Sequence, residues 1–352
     1  MKHKINCTYY TTLHVKSALR GRIKSIQLIS LVGSKSWKKY GNVKCNEHLV
    51  ADLKDLETNG IHIQNPSSQV IKAGVFVFVG DNLGAHQLAE LNCAFNSGSI
   101  CRFCTATYKD VCQNYLVYSG CKEGYNPLKM TPEYYDRLAD IAVENGGATN
   151  ETFGIKGHCC FNSLQSFHCM GSMAPCLGHD FYEGVFAYDI QAILNFIINK
   201  EKLMTADQFN YKLKKCQMSI RDKKNRPNGF KTRSQNAKYE GTSSSLRILS
   251  RVVTIVLADI LDKSKTMEIL LKLQEVSDLI TSPRLTIYEV LNILNPTILD
   301  YLDLRVTSIE TLSFGRPRPK HHFLSHYGEA FIKYGPLIGV WGMRMESKGG
   351  HP

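Results

Sequence analysis

Short β-rich segments and one helical pattern make up most of the first 80 residues. Residues 4–12 and 24–33 are two such segments, joined by a basic, glycine-containing connection, and they predict two antiparallel strands. From Asn46, leucines recur at helical spacing until Gly60 ends the pattern, which predicts a helix. Another apolar run covers residues 70–79. The order of strand, strand, helix and strand predicts the beginning of an α/β fold.

The last of these apolar runs leads into an acidic residue. Residues 74–79 are apolar on both faces, which is typical of a central strand that is covered on two sides. The run ends at Gly80-Asp81-Asn82, and a short helix is predicted over residues 83–93. Open α/β sheets place their chemistry just beyond the ends of such strands. Asp81 is therefore a candidate site residue, although an isolated acid is usually an ordinary surface group.

The middle of the chain has a different pattern. Residues 105–160 are mixed in character and contain several glycines and tyrosines. Residues 181–200, 245–281 and 286–303 instead carry leucine, isoleucine and valine stripes at helical spacing. We therefore predict that this middle region is mostly helical.

The composition is that of a folded protein with a basic surface. Hydrophobic residues make up 43% of the chain, which suffices for a globular core, and the formal charge is +12. This charge favours a polyanionic partner, of which nucleic acid is the commonest. We expect no signal peptide, because no apolar segment follows the first residues, and no membrane span, because the longest apolar runs are too short or carry an Asp.

Much of the positive charge is concentrated between residues 212 and 238, which contain ten Lys or Arg and one Asp. Charge runs are usually solvated loops, and this segment could be one. In the alternative it contacts phosphates, with Phe230 available for stacking. We favour phosphate contact because the charge is so concentrated. The candidate DNA-binding residues are Arg221, Lys223, Lys224, Arg226, Lys231 and Arg233.

Two cysteines and three histidines have spacings that suit zinc. We expect the twelve cysteines to be reduced thiols, since no secretory signal is predicted. Cys101 and Cys104 form a C-x2-C pair, which places two thiolates on one side of a tight turn. His321 and His326 form H-x4-H, whereas His322 and His326 form H-x3-H, and both spacings occur in zinc sites. Alternatively, these histidines cap a helix or lie on a basic surface.

A third group of polar residues opens a predicted helix at His179-Asp180-Phe181-Tyr182-Glu183. Asp180 and Glu183 have the spacing of a capping box, and capping is the interpretation that we favour. In the alternative, His179 and Glu183 lie one helical turn apart on the same face and contact DNA or a metal ion. They are accessory site candidates.

Several short blocks occur in a fixed order along nearly the whole chain. They are Gly80-Asp81-Asn82, Cys101-x2-Cys104, Gly154-Ile155-Lys156-Gly157, His179-Asp180-x2-Glu183-Gly184, residues 321–327, Gly335-Pro336-Leu337, Trp341 and Met343-Arg344-Met345-Glu346. No single block is specific. The ordered set extends from about residue 3 to residue 348, and it resembles the CACTA (En/Spm-like) DDE DNA transposases, which are related to the recombinase that cuts antigen-receptor genes.

The resemblance implies an α/β fold with an RNase H-like mixed sheet core and a large, mainly helical insertion. It implies that residues 1–104 form the first part of the core. Residues 105–320 would be the insertion, with a basic loop at 212–238, and residues 321–352 would complete the core.

The resemblance also implies two kinds of metal site. In this family three acids hold two Mg2+ or Mn2+ ions for phosphodiester hydrolysis and strand transfer. Asp81 matches the second acid and Glu346 matches the third. The family's zinc site is similar to a C-x2-C pair combined with an H-x4-H pair. The resemblance therefore implies that the ligands of a structural Zn2+ ion are Cys101, Cys104, His321 and His326.

One catalytic acid of the family has no counterpart in this chain. Family members carry the first aspartate upstream of the block that here reads His3-Lys4-Ile5-Asn6, and no acid precedes Glu47. We therefore expect that the first strand of the core is missing and that the chain has no transposition activity.

These observations favour a transposase-derived remnant, catalytically inactive, that keeps a zinc site and general DNA affinity in the nucleus. One alternative is a co-opted, zinc-dependent DNA-binding or scaffold protein. Another is an active transposase whose start lies upstream of Met1. The sequence leaves the oligomeric state open.

Overall fold

The structure is a computed structural model that describes residues 5–20, 22–64, 68–234 and 236–342. Helices predominate and are accompanied by two small antiparallel sheets, so the predicted mixture of α and β structure is confirmed. No helix among these residues combines the length and the apolar character needed to cross a membrane.

The chain divides into two compact units. The first contains the described residues up to Thr105, Leu128–Ala174 and Gly342, and the second contains Ala106–Pro127 and Pro175–Trp341. These ranges differ from the three predicted segments. Residues 128–174 of the predicted insertion lie in the first unit, and residues 321–341 lie in the second.

The strands of the first unit form two antiparallel pairs. β1 (Ile5–Tyr10) pairs antiparallel with β2 (Gln27–Gly33), which confirms the two strands predicted there. β3 (Ile61–Ile63) pairs antiparallel with β4 (Gln69–Ile71). In the described part of the chain these are the only sheets, so an RNase H-like sheet is not confirmed.

The central strand predicted over residues 70–79 forms only in part. β4 stops at Ile71, and farther along the chain Phe78 makes an isolated parallel bridge with Met173. Between these points, the Val75 N–H donates to the Ser166 hydroxyl at 2.8 Å instead of to a neighbouring strand. Phe76 is 48% exposed, so the run is not covered on both faces.

The α-helices of the first unit are α1 (Ser17–Arg20), α2 (Ser34–Thr58), α3 (Asn82–Leu88) and α4 (Pro132–Glu144), with 3-10 turns at Ile23–Ser25 and Cys160–Ser163. Side chains of α2, α3 and α4 pack into one hydrophobic core. Tyr135 of α4 is fully buried, with its hydroxyl 2.9 Å from the Ala89 carbonyl oxygen and 3.0 Å from that of Gly157. The same hydroxyl accepts the Cys159 N–H at 3.0 Å, so the core has a polar anchor.

The second unit is almost entirely helical, which confirms the three helical regions predicted in the middle of the chain. Its α-helices are α5 (Ala187–Asn195), α6 (Ala206–Lys215), α7 (Ile220–Lys223), α8 (Ser243–Leu257), α9 (Met267–Ile280), α10 (Ile287–Glu289), α11 (Asn295–Thr311), α12 (Pro319–Leu324) and α13 (Tyr327–Tyr334). Its π-helical turns are Lys109–Gln113, Leu177–Phe186, Phe196–Lys200 and Val290–Leu294, and its 3-10 turns are Leu261–Lys263 and Leu337–Val340.

Aromatic side chains fill the centre of this second core. Phe181, Tyr182 and Phe186 are buried one beside another at the start of the helical segment that contains α5. Trp341 stacks on Tyr182, with ring centroids 5.6 Å apart. Burial of each such ring contributes roughly 1.5–3 kcal/mol, so this cluster is a principal source of stability in the second unit.

Candidate metal centre

The C-x2-C pair forms a tight turn whose backbone supports its sulfurs. Cys101 and Cys104 are both buried, and the Phe103 N–H donates to the Cys101 sulfur at 3.3 Å. A hydrogen bond of this kind stabilises the thiolate form that a metal ion requires. The turn therefore gives the Cys101 sulfur a hydrogen bond of the kind that a thiolate ligand accepts.

Arg102, between the two cysteines, fixes this turn within the first unit. Its guanidinium is buried and donates to the Asn82 side-chain oxygen at 2.7 Å and to the Ala174 carbonyl at 3.2 Å. It also lies over the Phe103 ring, 4.4 Å from the centroid. Since a buried guanidinium needs such partners, these contacts hold Arg102 in one position.

Two histidines of the second unit are arranged as metal ligands would be. His322 lies on α12, and its Nδ1 is 2.9 Å from the Val117 carbonyl oxygen, so Nε2 is the ring nitrogen that can act as a metal ligand. A carbonyl partner on one ring nitrogen is the usual arrangement of a metal-binding histidine. The Nε2 atoms of His322 and His326 are 3.3 Å apart. Nitrogen ligands at 2.0–2.1 Å from a tetrahedral ion are separated by about the same distance.

The cysteine and histidine ligand atoms form one group. Those of Cys101, Cys104, His322 and His326 all lie within 4.8 Å of one another, and only His326 is partly exposed. This Cys2His2 group could hold a metal ion, and its donors are those of structural zinc sites. The prediction of a zinc-compatible set is thus supported for three of the four ligands named from the sequence.

The fourth predicted ligand, His321, lies outside this group. Its Nδ1 accepts the Arg318 N–H at 2.9 Å, and its Nε2 is 3.3 Å from an Asp189 carboxylate oxygen. Adjacent residues on a helix point about 100° apart, so His321 and His322 face different neighbours. The H-x3-H pair, and not the H-x4-H pair, faces the cysteines.

His321 belongs instead to a buried charged network in the second unit. Arg305 donates through Nε to both Asp189 oxygens at 3.1 Å and through Nη2 to the Gly315 carbonyl at 2.7 Å, and the Tyr301 hydroxyl also donates to Asp189. Burial raises the pKa of Asp189, but Arg305 and His321 lower it by more, to about 2. Burial lowers the pKa of His321, and Asp189 offsets this in part.

Sequence reasoning missed this network. Asp189 and Arg305 are 116 positions apart and belong to different helices. The available signal was an acid and a base placed within helical segments that are otherwise rich in apolar residues. Neither residue lies in a motif with a known spacing, so only the structure shows that they pair.

The catalytic roles predicted for Asp81 and Glu346 stay predictions. Asp81 is the N-cap of α3, where its side chain accepts the Gly84 N–H at 2.6 Å. Among the described residues it belongs to no group of three or more metal-binding side chains. Glu346 lies outside the described residues. Helix capping accounts for the position of Asp81 within its own unit.

The capping box predicted for Asp180 and Glu183 does not form between them. Asp180 accepts the Cys176 N–H at 3.1 Å, whereas Glu183 accepts the backbone N–H of Ser243 at 2.8 Å and its hydroxyl at 2.6 Å. Each acid therefore serves the start of a different helix, and Glu183 stabilises the first residue of α8.

His179, the other accessory candidate, has separate neighbours of its own. Its Nδ1 is 3.2 Å from the Cys176 sulfur, and its backbone carbonyl accepts from the Lys320 ammonium at 2.6 Å.

The basic segment 212–238 is partly used inside the second unit. Arg226 donates to three carbonyl oxygens at the end of α6, while Lys231 and Arg233 pair with Glu240. Phe230, expected to be available for stacking, is buried between Phe209 and Tyr239. Three of the six DNA-binding candidates thus have structural partners.

The other three candidates are solvent-facing. Arg221, Lys223 and Lys224 are exposed and form no ion pair with any residue that the structure describes. They form a small cationic surface at α7.

Comparison with known proteins assigns this chain to no family. The chain matches no protein-family model, and no curated protein matches it.

Proposed function

We propose that this chain is a zinc-binding protein of transposase origin with general affinity for DNA, in which the zinc ion has a structural role. The observation that carries the proposal is the buried Cys2His2 group, whose four ligand atoms lie within 4.8 Å of one another. Two thiolates and two imidazoles are the donor set that favours zinc over magnesium or calcium. The ordered sequence blocks support the transposase origin.

A structural role follows from the number and burial of the ligands. Four protein donors complete the tetrahedral coordination of Zn2+, so no position is left for water or substrate. Three of the four residues are buried. The centre would then contribute to folding, and bound zinc would raise the free energy of unfolding.

General DNA affinity is supported by charge. The formal charge is +12, and Arg221, Lys223 and Lys224 are exposed cations with no ion-pair partner among the described residues. Such side chains bind phosphates without reading sequence, and each contact adds to the salt dependence of binding. A partner with a regular array of phosphates fits this surface, and we infer that the partner is DNA.

The zinc proposal is tested by metal content. Purified chain should contain one equivalent of zinc, and a Cys101→Ser, Cys104→Ser double variant should contain none. The matched control is Cys121→Ser, Cys216→Ser, which removes two thiols outside the group and should keep the zinc. Zinc-free wild-type chain that keeps the same unfolding midpoint as zinc-loaded chain would overturn the structural role.

The DNA proposal is tested by the salt dependence of binding. An Arg221→Gln, Lys223→Gln, Lys224→Gln variant should lower the slope of log K against log salt by up to about 2.7, which corresponds to three phosphate contacts. A control that removes three exposed cations elsewhere, Lys54→Gln, Lys72→Gln, Lys122→Gln, should change the slope less. Equal slopes for the two variants would contradict the assignment to this surface.

A further inference from the structure

An acid-free stretch of the chain surrounds the β1–β2 pair of the first unit. Residues 1–46 contain ten Lys or Arg and no Asp or Glu, so this stretch carries a formal charge of +10. The whole chain carries +12, and the remaining residues together therefore carry only +2. A surface with so many cations and no acid favours a polyanionic partner.

Six cations of this stretch form two groups, one at each end of the β1–β2 pair. The connection between the strands carries the first, which we call the connection group: Lys16, Arg22 and Lys24. The start of α2, which follows β2 directly, carries the second, the helix group: Lys35, Lys38 and Lys39. All six side chains are exposed, and none forms an ion pair with a residue that the structure describes. Lys44, farther along α2, pairs with Glu47.

The cations of the helix group repel one another. Lys38 and Lys39 follow Lys35 by three and four residues, so all three lie at neighbouring positions on the helix surface. Gly41, where α2 kinks, lies beyond the group. Like charges at these spacings destabilise a helix, and the first turn of α2 contains no acid that would offset them. An anionic partner would relieve this repulsion.

The connection group lies in a segment that Arg20 holds in shape. The Arg20 guanidinium donates through Nε to the Val15 carbonyl at 2.8 Å and through Nη2 to the Leu13 carbonyl at 2.9 Å. These two bonds close the turn directly before Lys16. A segment that is already ordered loses less conformational freedom when it binds, which favours binding.

The separation of the two groups suits a DNA duplex. β2 has seven residues, and a rise of roughly 3.3 Å per residue places its ends about 20–23 Å apart. Along each strand of a duplex the phosphates follow one another at about 3.4 Å, so this distance corresponds to about six or seven base-pair steps. A duplex can therefore contact both groups at once. Interfaces with DNA are also much more positively charged than interfaces between proteins.

We propose that the connection group and the helix group together bind the phosphate backbone of duplex DNA. The inference rests on the proposed function, which gives the chain general affinity for DNA, and it adds a surface of the first unit to the one at α7. Because its contacts are to phosphates, this surface binds DNA without reading the sequence.

The experiment measures how binding of the full chain to a DNA duplex depends on salt. Two triple variants each remove one group: Lys16→Gln, Arg22→Gln, Lys24→Gln and Lys35→Gln, Lys38→Gln, Lys39→Gln. Each should reduce the steepness of log K against log salt by up to about 2.7, and their combination should reduce it by about twice as much. The control Lys54→Gln, Lys72→Gln, Lys122→Gln removes the same charge from other exposed positions and should have a smaller effect.

A conservative variant separates charge from folding. Lys35→Arg, Lys38→Arg, Lys39→Arg keeps the charge of the helix group and should keep the wild-type slope. Circular dichroism of every variant should match that of wild type, because the substituted side chains are exposed.

Two results would overturn this surface. One is a wild-type slope in both glutamine triple variants while the chain still binds the duplex. The other is tighter binding of the wild-type chain to poly-glutamate than to the duplex, which would exclude DNA as the preferred partner. Failure of the proposed DNA affinity is distinguishable, because the wild-type chain would then not bind the duplex at all.

Discussion

Replacing Asp189 by Asn removes the only carboxylate in the buried network of the second unit. The substitution keeps the size of the side chain but leaves the Arg305 guanidinium, which is 3% exposed, without its counter-charge. The guanidinium then keeps its hydrogen bond to the Gly315 carbonyl. Breaking a buried ion pair from one side destabilises a protein by about 3–5 kcal/mol, and we expect a loss of this size at pH 7.

The same network sets how stability depends on pH. The pKa of Asp189 falls from 3.8 in the unfolded chain to about 2, because Arg305 and His321 outweigh the effect of burial. This difference corresponds to roughly 2.5 kcal/mol. Because the folded-state pKa is the lower one, the stabilisation is complete above about pH 4 and is lost as the pH falls towards 2.

Chemical unfolding followed by tryptophan fluorescence measures both effects. Trp341 stacks on Tyr182 in the second unit, and a Trp37→Phe background makes it the sole tryptophan. In this background, Asp189→Asn should lower the free energy of unfolding by about 3–5 kcal/mol at neutral pH. Its free energy of unfolding should also lack the change between pH 4 and 2 that Asp189 causes in wild type. Asp300→Asn, which removes an exposed acid from the neighbouring helix, should change stability by less than about 1 kcal/mol.

Two results would refute this reasoning. One is that Asp189→Asn lowers the free energy of unfolding by less than about 1 kcal/mol, which is what a solvent-exposed salt bridge contributes. The other is an unchanged dependence on pH between 4 and 2.

Three further predictions concern residues whose roles the structure assigns to folding. Arg226→Ala should lower the unfolding free energy by about 1–3 kcal/mol, because three carbonyls at the end of α6 lose their donor; its salt slope for DNA binding should equal that of wild type. Asp81→Ala should destabilise by about 1 kcal/mol and Asp81→Asn by much less, since Asn also caps helices; equal losses in chemical unfolding would argue against capping. Tyr135→Phe should lower the free energy of unfolding by about 1–3 kcal/mol, because the Cys159 N–H is left without its acceptor. Thermal unfolding of the variant and of wild type measures the difference.

Patterns within short segments predicted the elements that those segments form. Strands β1 and β2 followed from two β-rich runs, and the helices of the second unit followed from apolar residues that repeat at helical spacing. The run at residues 74–79 was misjudged because apolar composition alone does not show what covers a segment. There the backbone bonds to Ser166, which is 91 positions away from Val75.

The candidate metal centre was predictable in its chemistry but not in every ligand. The C-x2-C spacing and the histidine cluster identified the donor types correctly. Spacing could not choose between His321 and His322, because H-x4-H and H-x3-H are both spacings of zinc-binding histidine pairs. The choice depends on Val117 and Asp189, which hold the two rings in different directions. No sequence pattern encodes those partners.

Zinc content of two neighbouring variants tests the central claim most directly. His322→Gln and His321→Gln change adjacent buried residues of α12 by the same substitution, and only His322 is a proposed ligand. Elemental analysis after dialysis should find close to one equivalent of zinc in wild type and His321→Gln, and little or none in His322→Gln. Full zinc in His322→Gln together with its loss in His321→Gln would contradict the account.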